Sequence, residues 1–162
     1  TNEPDGAALW AAVSERLSPV RAGEVKEPAR FGADYLTHAR LGQGAFRVLV
    51  TDAYQRRCAI TGEKTLPVLE AAHIQPYADH GPHLVANGLL LRSDLHTLFD
   101  RGYITVTGEL RVEVSPRIRE EFSNGREYYK HHGQGLVATP GSASERPSPE
   151  FLRWHNENCF LS

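Results

Sequence analysis

Two short apolar runs, residues 66–74 (LPVLEAAHI) and 88–91, flank a loop at 75–86 that is punctuated by Pro76, Gly81 and Pro82, and a serine-led helical turn follows at once. Short apolar runs bounded by turn residues suit buried strands. Ser93 suits the cap of a helix over 94–99, with Asp94 near its positive end. The stretch therefore predicts strand, loop, strand, helix, and an α+β fold. It also carries four of the chain's eight histidines, His73, His80, His83 and His96, within 24 consecutive positions, with Asn87 inside that window and Asp100 just beyond it. His96 and Asp100 stand four residues apart on the predicted helix. They share a face and can offer an imidazole nitrogen and a carboxylate oxygen to one cation.

The flanks supply further elements. Asp5 leads an apolar series through Leu9, Trp10, Val13 and Leu17, which predicts a capped helix ended before Pro19. Residues 18–31, with two prolines and a glycine, read as a connector. We therefore divide the chain into residues 1–31, helix and linker, and a main domain at 32–162, with its core at 54–107 and a C-terminal helical extension at 115–162. In residues 43–54, Phe46, Val48, Leu49, Val50, Ala53 and Tyr54 keep a helical spacing while Arg47, Thr51 and Asp52 face water. Residues 103–106 and 109–114 alternate about Thr107-Gly108 and predict a β-hairpin. Ser115-Pro116 opens a helix through Phe122, and Ser148-Pro149 caps a last one containing Phe151, Leu152 and Trp154. Residues 133–147 read as a surface loop.

Composition narrows the function. Eighteen Lys and Arg against twenty Asp and Glu leave a net charge of −2, so any anion-binding surface must be local. There is no apolar run long enough to span a bilayer and no basic-then-apolar leader, so no membrane role is expected and the cytoplasm is the default setting. Two cysteines, Cys58 and Cys159, exclude a disulfide framework and a four-cysteine zinc site. The absence of methionine suggests a piece of something longer.

The spacing is specific as well as dense. Asn87 follows His73 by fourteen residues, and His96 and Asp100 follow Asn87 by nine and thirteen. With Arg57-Cys58-Ala59-Ile60-Thr61-Gly62, Ala72-His73-Ile74 and Asn87-Gly88-Leu89-Leu90-Leu91 in register, residues 41–107 resemble an HNH endonuclease of the branch fused to bacterial restriction and defence proteins. The resemblance implies a ββα-metal core with flanking helices and an additional hairpin, acting on DNA. It implies an upstream recognition or sensor domain, too. Double-strand cutting by one active site would call for a homodimer.

By the same resemblance, His73 is the general base and Asn87 positions the loop that bears it. His96 and Asp100 would hold one divalent cation against the scissile phosphate. Imidazole, with an ordinary pKa of about 6.5, suits removal of a proton from water near neutrality. Many HNH enzymes carry a further ligand just before the base, where this chain has Ala72. Two protein ligands suit Mg²⁺ or Mn²⁺ better than Zn²⁺. Glu70 lies near, but strand alternation turns it away from the His73 face. Arg92 and Arg101 flank the helix and are the candidate phosphate contacts, and Arg47, Arg56 and Arg57 form a second basic cluster. His80 and His83 read as exposed loop histidines, and His131-His132 as surface. The competing readings are a nuclease-derived DNA-binding module without turnover and an RNA-cutting toxin sharing the same site.

Overall fold

Helix α1 (Gln43–Ala53) buries Phe46 and Val50, and the stripe continues into Tyr54 just past its end. Val48 and Leu49, expected on that face, are instead 55% and 38% exposed, because they fall off the stripe that Phe46, Val50 and Tyr54 define at a spacing of four. The Tyr54 hydroxyl is buried and donates to the Gly88 carbonyl at 2.8 Å, fixing the helix to the sheet. These coordinates are a computed structural model that describes residues 42–162, so the expected helix at 5–17, the connector at 18–31 and the boundary after residue 31 lie outside the described residues.

Strands β1 (Leu69–His73) and β2 (Gly88–Arg92) pair antiparallel, from Leu69 opposite Arg92 to His73 opposite Gly88. The expected first strand begins three residues late, because residues 66–68 form a 3₁₀ turn around Pro67, which has no N–H to give a ladder. Gly88 is required by packing. A Cβ there would stand 2.6 Å from Val50 Cγ2 and 3.1 Å from Phe46, so only glycine lets α1 lie directly on the His73 rung. Cys58 ties the preceding turn to the far end of the ribbon, its sulfur accepting the N–H groups of Thr61 and Arg92 at 3.4 Å each. Both cysteines are free thiols.

Helix α2 (Ser93–Asp100) follows β2 directly and buries Leu95 and Phe99. Ser93 is its first helical residue rather than its cap. Arg92 occupies the cap position, and no side chain caps the helix. Strands β3 (Ile104–Val106) and β4 (Val112–Val114) form the second ribbon. Their connection is longer than the expected two-residue turn. It closes with Thr107 N–H on Arg111 O, and Leu110 sits at φ 59°, the left-handed residue that follows a tight turn in longer hairpin loops.

Helices α3 (Arg117–Phe122), α4 (Arg126–Tyr129) and α5 (Pro149–Asn158) complete the described chain, α4 being unforeseen. On α5, His155 is buried and stacks on Phe99 at 3.8 Å. Its Nε2–H donates to the Phe99 carbonyl at 2.9 Å, and its Nδ1 accepts the Thr105 hydroxyl at 2.7 Å. The last helix thereby clamps α2 and β3 from behind. No helix among the described residues is long and apolar enough to cross a membrane.

Candidate active site

His73 at the end of β1 and the His96/Asp100 pair on α2 line one open cleft of about 680 Å³, together with His83, Tyr77 and Gln43. An adjoining cleft of about 570 Å³ shares His73 and Gln43 and adds Arg47 and Glu70. The base candidate therefore stands between two halves of a groove. One half holds the cation-ligand candidates, and the other a basic side chain from α1.

On α2, the helical repeat places His96 and Asp100 one turn apart, with His96 Nε2 at 3.1 Å from Asp100 Oδ2. On the other side of the ring, His96 Nδ1 donates to Glu70 Oε2 at 2.6 Å. The Asp100 carboxylate, and then Glu70, hold the imidazolium up to a pKa of about 9 against the opposing effect of burial. Glu70 thus braces the α2 imidazole from β1 through the ring nitrogen remote from Asp100. Among the described residues, no group of three or more His, Cys, Asp or Glu side chains is arranged to hold a metal ion.

The pair nevertheless fits a cation. Two donors each about 2.0–2.1 Å from one ion stand about 3 Å apart, which is the separation found here with a proton between them. The Glu70 bond to the remote ring nitrogen is the kind of support that orients a ligating histidine.

His73 is packed between rings. Phe46 stacks on it at 3.9 Å with 9° between planes, and its Nε2 lies 3.0 Å from Nδ1 of His83. Burial, and then the neighbouring His83, lower its pKa to about 4, so His73 is neutral at physiological pH. Burial lowers His83 and His155 in the same direction. In the unfolded chain these histidines take up protons near pH 6.5, while the folded protein resists until lower pH. Their contribution to stability is thus present above pH 6.5 and is lost as pH falls through each folded-state pKa, which for His73 is about 4. His96 does not offset this, since its raised pKa makes its contribution complete below pH 6.5. We expect the melting temperature in chelator to fall across this window. Ring titrations by NMR should show His73 unprotonated at pH 5.5.

Asn87 is fully buried at the start of β2, where its side chain joins three backbone groups of the intervening loop. Its Oδ1 accepts Gln75 N–H at 2.9 Å, and its Nδ2 donates to Gln75 O at 2.9 Å and Pro82 O at 3.0 Å. Gly81 belongs to the same fold-back. A Cβ there would meet Gln75 O at 1.7 Å, so no other residue fits. His83 is delivered to His73 by this strap.

The arginines separate. Arg92 is not brought to the cleft. The register sets it opposite Leu69, four rungs from His73, and its guanidinium grips Asp94 at 2.7 and 3.0 Å while Tyr128 bonds the same carboxylate. Arg101, the residue after Asp100, is exposed at the C-terminal end of α2. His80 is exposed as expected, but His83 is not a free loop histidine. Phe46, His83 and Glu70 are the residues that sequence reasoning did not assign to the site. The Gly-Pro-His step at 81–83 was the one local sign that the loop folds back.

Residues 58–107 match a protein-family model described as HNH endonuclease. Among solved structures, the chain is similar to a modification-dependent TagI restriction endonuclease at 21% identity, with a TM-score of 0.48 over 72% of this chain and 39% of that one. It therefore spans about two-fifths of that protein's length. No curated protein matches the chain. The matched stretch contains both strands of the first ribbon and all of α2, so the similarity to the HNH endonuclease model falls on the elements that carry His73, Asn87, His96 and Asp100, set in an α+β fold.

Proposed function

We propose that this chain is the DNA-cleaving module of a cytoplasmic restriction or defence enzyme, hydrolysing phosphodiester bonds with a divalent cation. The observation that carries the reading is the convergence of His73, His96 and Asp100 on one open cleft beside a ribbon and helix of HNH type. His73, neutral at working pH, takes the proton of the attacking water. Asn87 holds the strap against which His73 is set, and Glu70 keeps the His96 ring turned so that Nε2 faces Asp100. Arg47, which lines the adjoining half of the groove, and Arg101, next in sequence to Asp100, steer the phosphate backbone. When bound by His96 and Asp100, Mg²⁺ or Mn²⁺ would neutralise charge growing on the scissile phosphate and on the departing 3′-oxygen.

Plasmid cleavage with Mg²⁺ or Mn²⁺, run beside an RNA substrate of equal length, tests this. DNA nicking that needs metal supports it. RNA cutting alone, or no cutting by the longest natural form of the protein in any metal, overturns it. In Mn²⁺ calorimetry, His96→Ala and Asp100→Ala are each expected to weaken binding at least about tenfold, and Glu70→Gln to weaken it by about tenfold through the ring it orients. Unchanged affinity in both ligand variants would move the cation elsewhere.

A further inference from the structure

Two imidazoles that meet through one nitrogen each share a single proton, and its position decides what the outer nitrogens can do. His73 Nε2 and His83 Nδ1 stand 3.0 Å apart, and burial keeps both rings neutral at physiological pH. If His83 donated, its proton would lie on Nδ1 and His73 would carry its own proton on Nδ1, leaving His73 no lone pair for another. If His73 donates from Nε2, its Nδ1 keeps a lone pair, and that nitrogen has no hydrogen-bond partner among the described residues. In this second arrangement both rings carry the proton on Nε2, the form neutral histidine favours in water.

The rings are also held from outside. Phe46 lies against His73, and Tyr77, itself 67% exposed, lies flat on His83 at 4.7 Å with 7° between planes. The His83 backbone follows Pro82, whose carbonyl is bound by Asn87. The four rings form a continuous stack and bond sequence running from α1 to the cleft mouth. Nothing in it serves apolar burial alone, since His83 lines the open cleft and its Nε2 has no hydrogen-bond partner among the described residues.

We infer that His83 is a positioning residue for cleavage: its Nδ1 accepts the Nε2 proton of His73 and holds His73 in the tautomer whose Nδ1 lone pair receives the proton of the attacking water. The inference rests on the reading of His73 as base. In the step itself, a water O–H bond breaks and its proton passes to His73 Nδ1, the water oxygen bonds phosphorus, and the bond to the 3′-oxygen breaks. Solvent protonates the departing oxygen. The imidazolium so formed keeps its Nε2–H on His83 as a charge-assisted bond, stronger than the neutral one.

Nitrogen-15 NMR on the histidine-labelled full chain at pH 7 reads the tautomer without reference to activity. The expected result is a protonated Nε2 and an unprotonated Nδ1 on His73. Two variants separate the hydrogen bond from packing. His83→Phe keeps a ring against Tyr77 but removes the acceptor, and is expected to give mixed tautomers at His73 and a kcat lower by about tenfold or more, with KM for plasmid little changed. His83→Asn sets an amide oxygen at the place of Nδ1, and is expected to restore both the tautomer and most of the rate. A His73 protonated on Nδ1 in the wild type, a His83→Phe protein with wild-type tautomer and rate, or a His83→Asn protein as impaired as His83→Phe would each overturn the assignment. A wild type that cuts no nucleic acid while showing the expected tautomer refutes the catalytic role but leaves the His73–His83 bond demonstrated, so the two failures are told apart.

Discussion

Replacing His73 with alanine is expected to lower plasmid cleavage by about 10²–10⁴-fold, the range lost with a positioned proton acceptor. The side chain is half-buried rather than part of the apolar core, so its removal leaves the ribbon standing and exposes one face of Phe46. Mn²⁺ affinity should be unaffected, because His96 and Asp100 are braced by Glu70 and by their own helix and not by His73. Cleavage rate, melting temperature and calorimetry on one preparation give the full pattern: rate lost, fold and metal kept. Undiminished cleavage would remove His73 from the chemistry.

Asn87→Ala carries the largest expected cost to the fold. The substitution strands the Gln75 N–H and the carbonyls of Gln75 and Pro82, all now bonded by one fully buried amide at 2.9–3.0 Å. Each buried polar group left without a partner costs about 1–3 kcal/mol, so a loss on the order of 3 kcal/mol or more in urea unfolding is expected. Asn87→Asp should do little better, since an ionised carboxylate cannot donate to either carbonyl. Cleavage falls as well, because the strap that sets His83 against His73 loosens, while the helix-borne cation pair is untouched. A variant with wild-type unfolding would mean that water takes over those three bonds.

What could be foreseen from residues alone was mostly local. The strand, loop, strand, helix order follows from apolar runs and turn residues, and the His96/Asp100 pair follows from the pitch of one helix, which needs no tertiary knowledge. The missing parts depend on contacts distant in sequence. Phe46 reads as any core residue of an amphipathic helix until Gly88 shows how closely that helix can approach the His73 rung. His83 reads as exposed until the Asn87 amide folds the loop back. Strand alternation turns Glu70 from the His73 side chain, yet α2 packs against the ribbon and brings His96 to it. Arg92 shows the reverse error. Its closeness in sequence to α2 suggested the cleft, and the strand register carries it to the other end of the ribbon.

The family match stops at residue 107, but the helix bearing His96 does not hold itself in place. His155, forty-eight residues beyond that limit, both caps the Phe99 carbonyl and covers its ring, and Tyr54, upstream of the match, anchors the Gly88 carbonyl. A fragment trimmed to the recognisable motif would strip two neighbours from α2 and β2 and bare their apolar sides to solvent. Anyone moving this ribbon and helix onto another scaffold must transplant the tail and the leading helix with it.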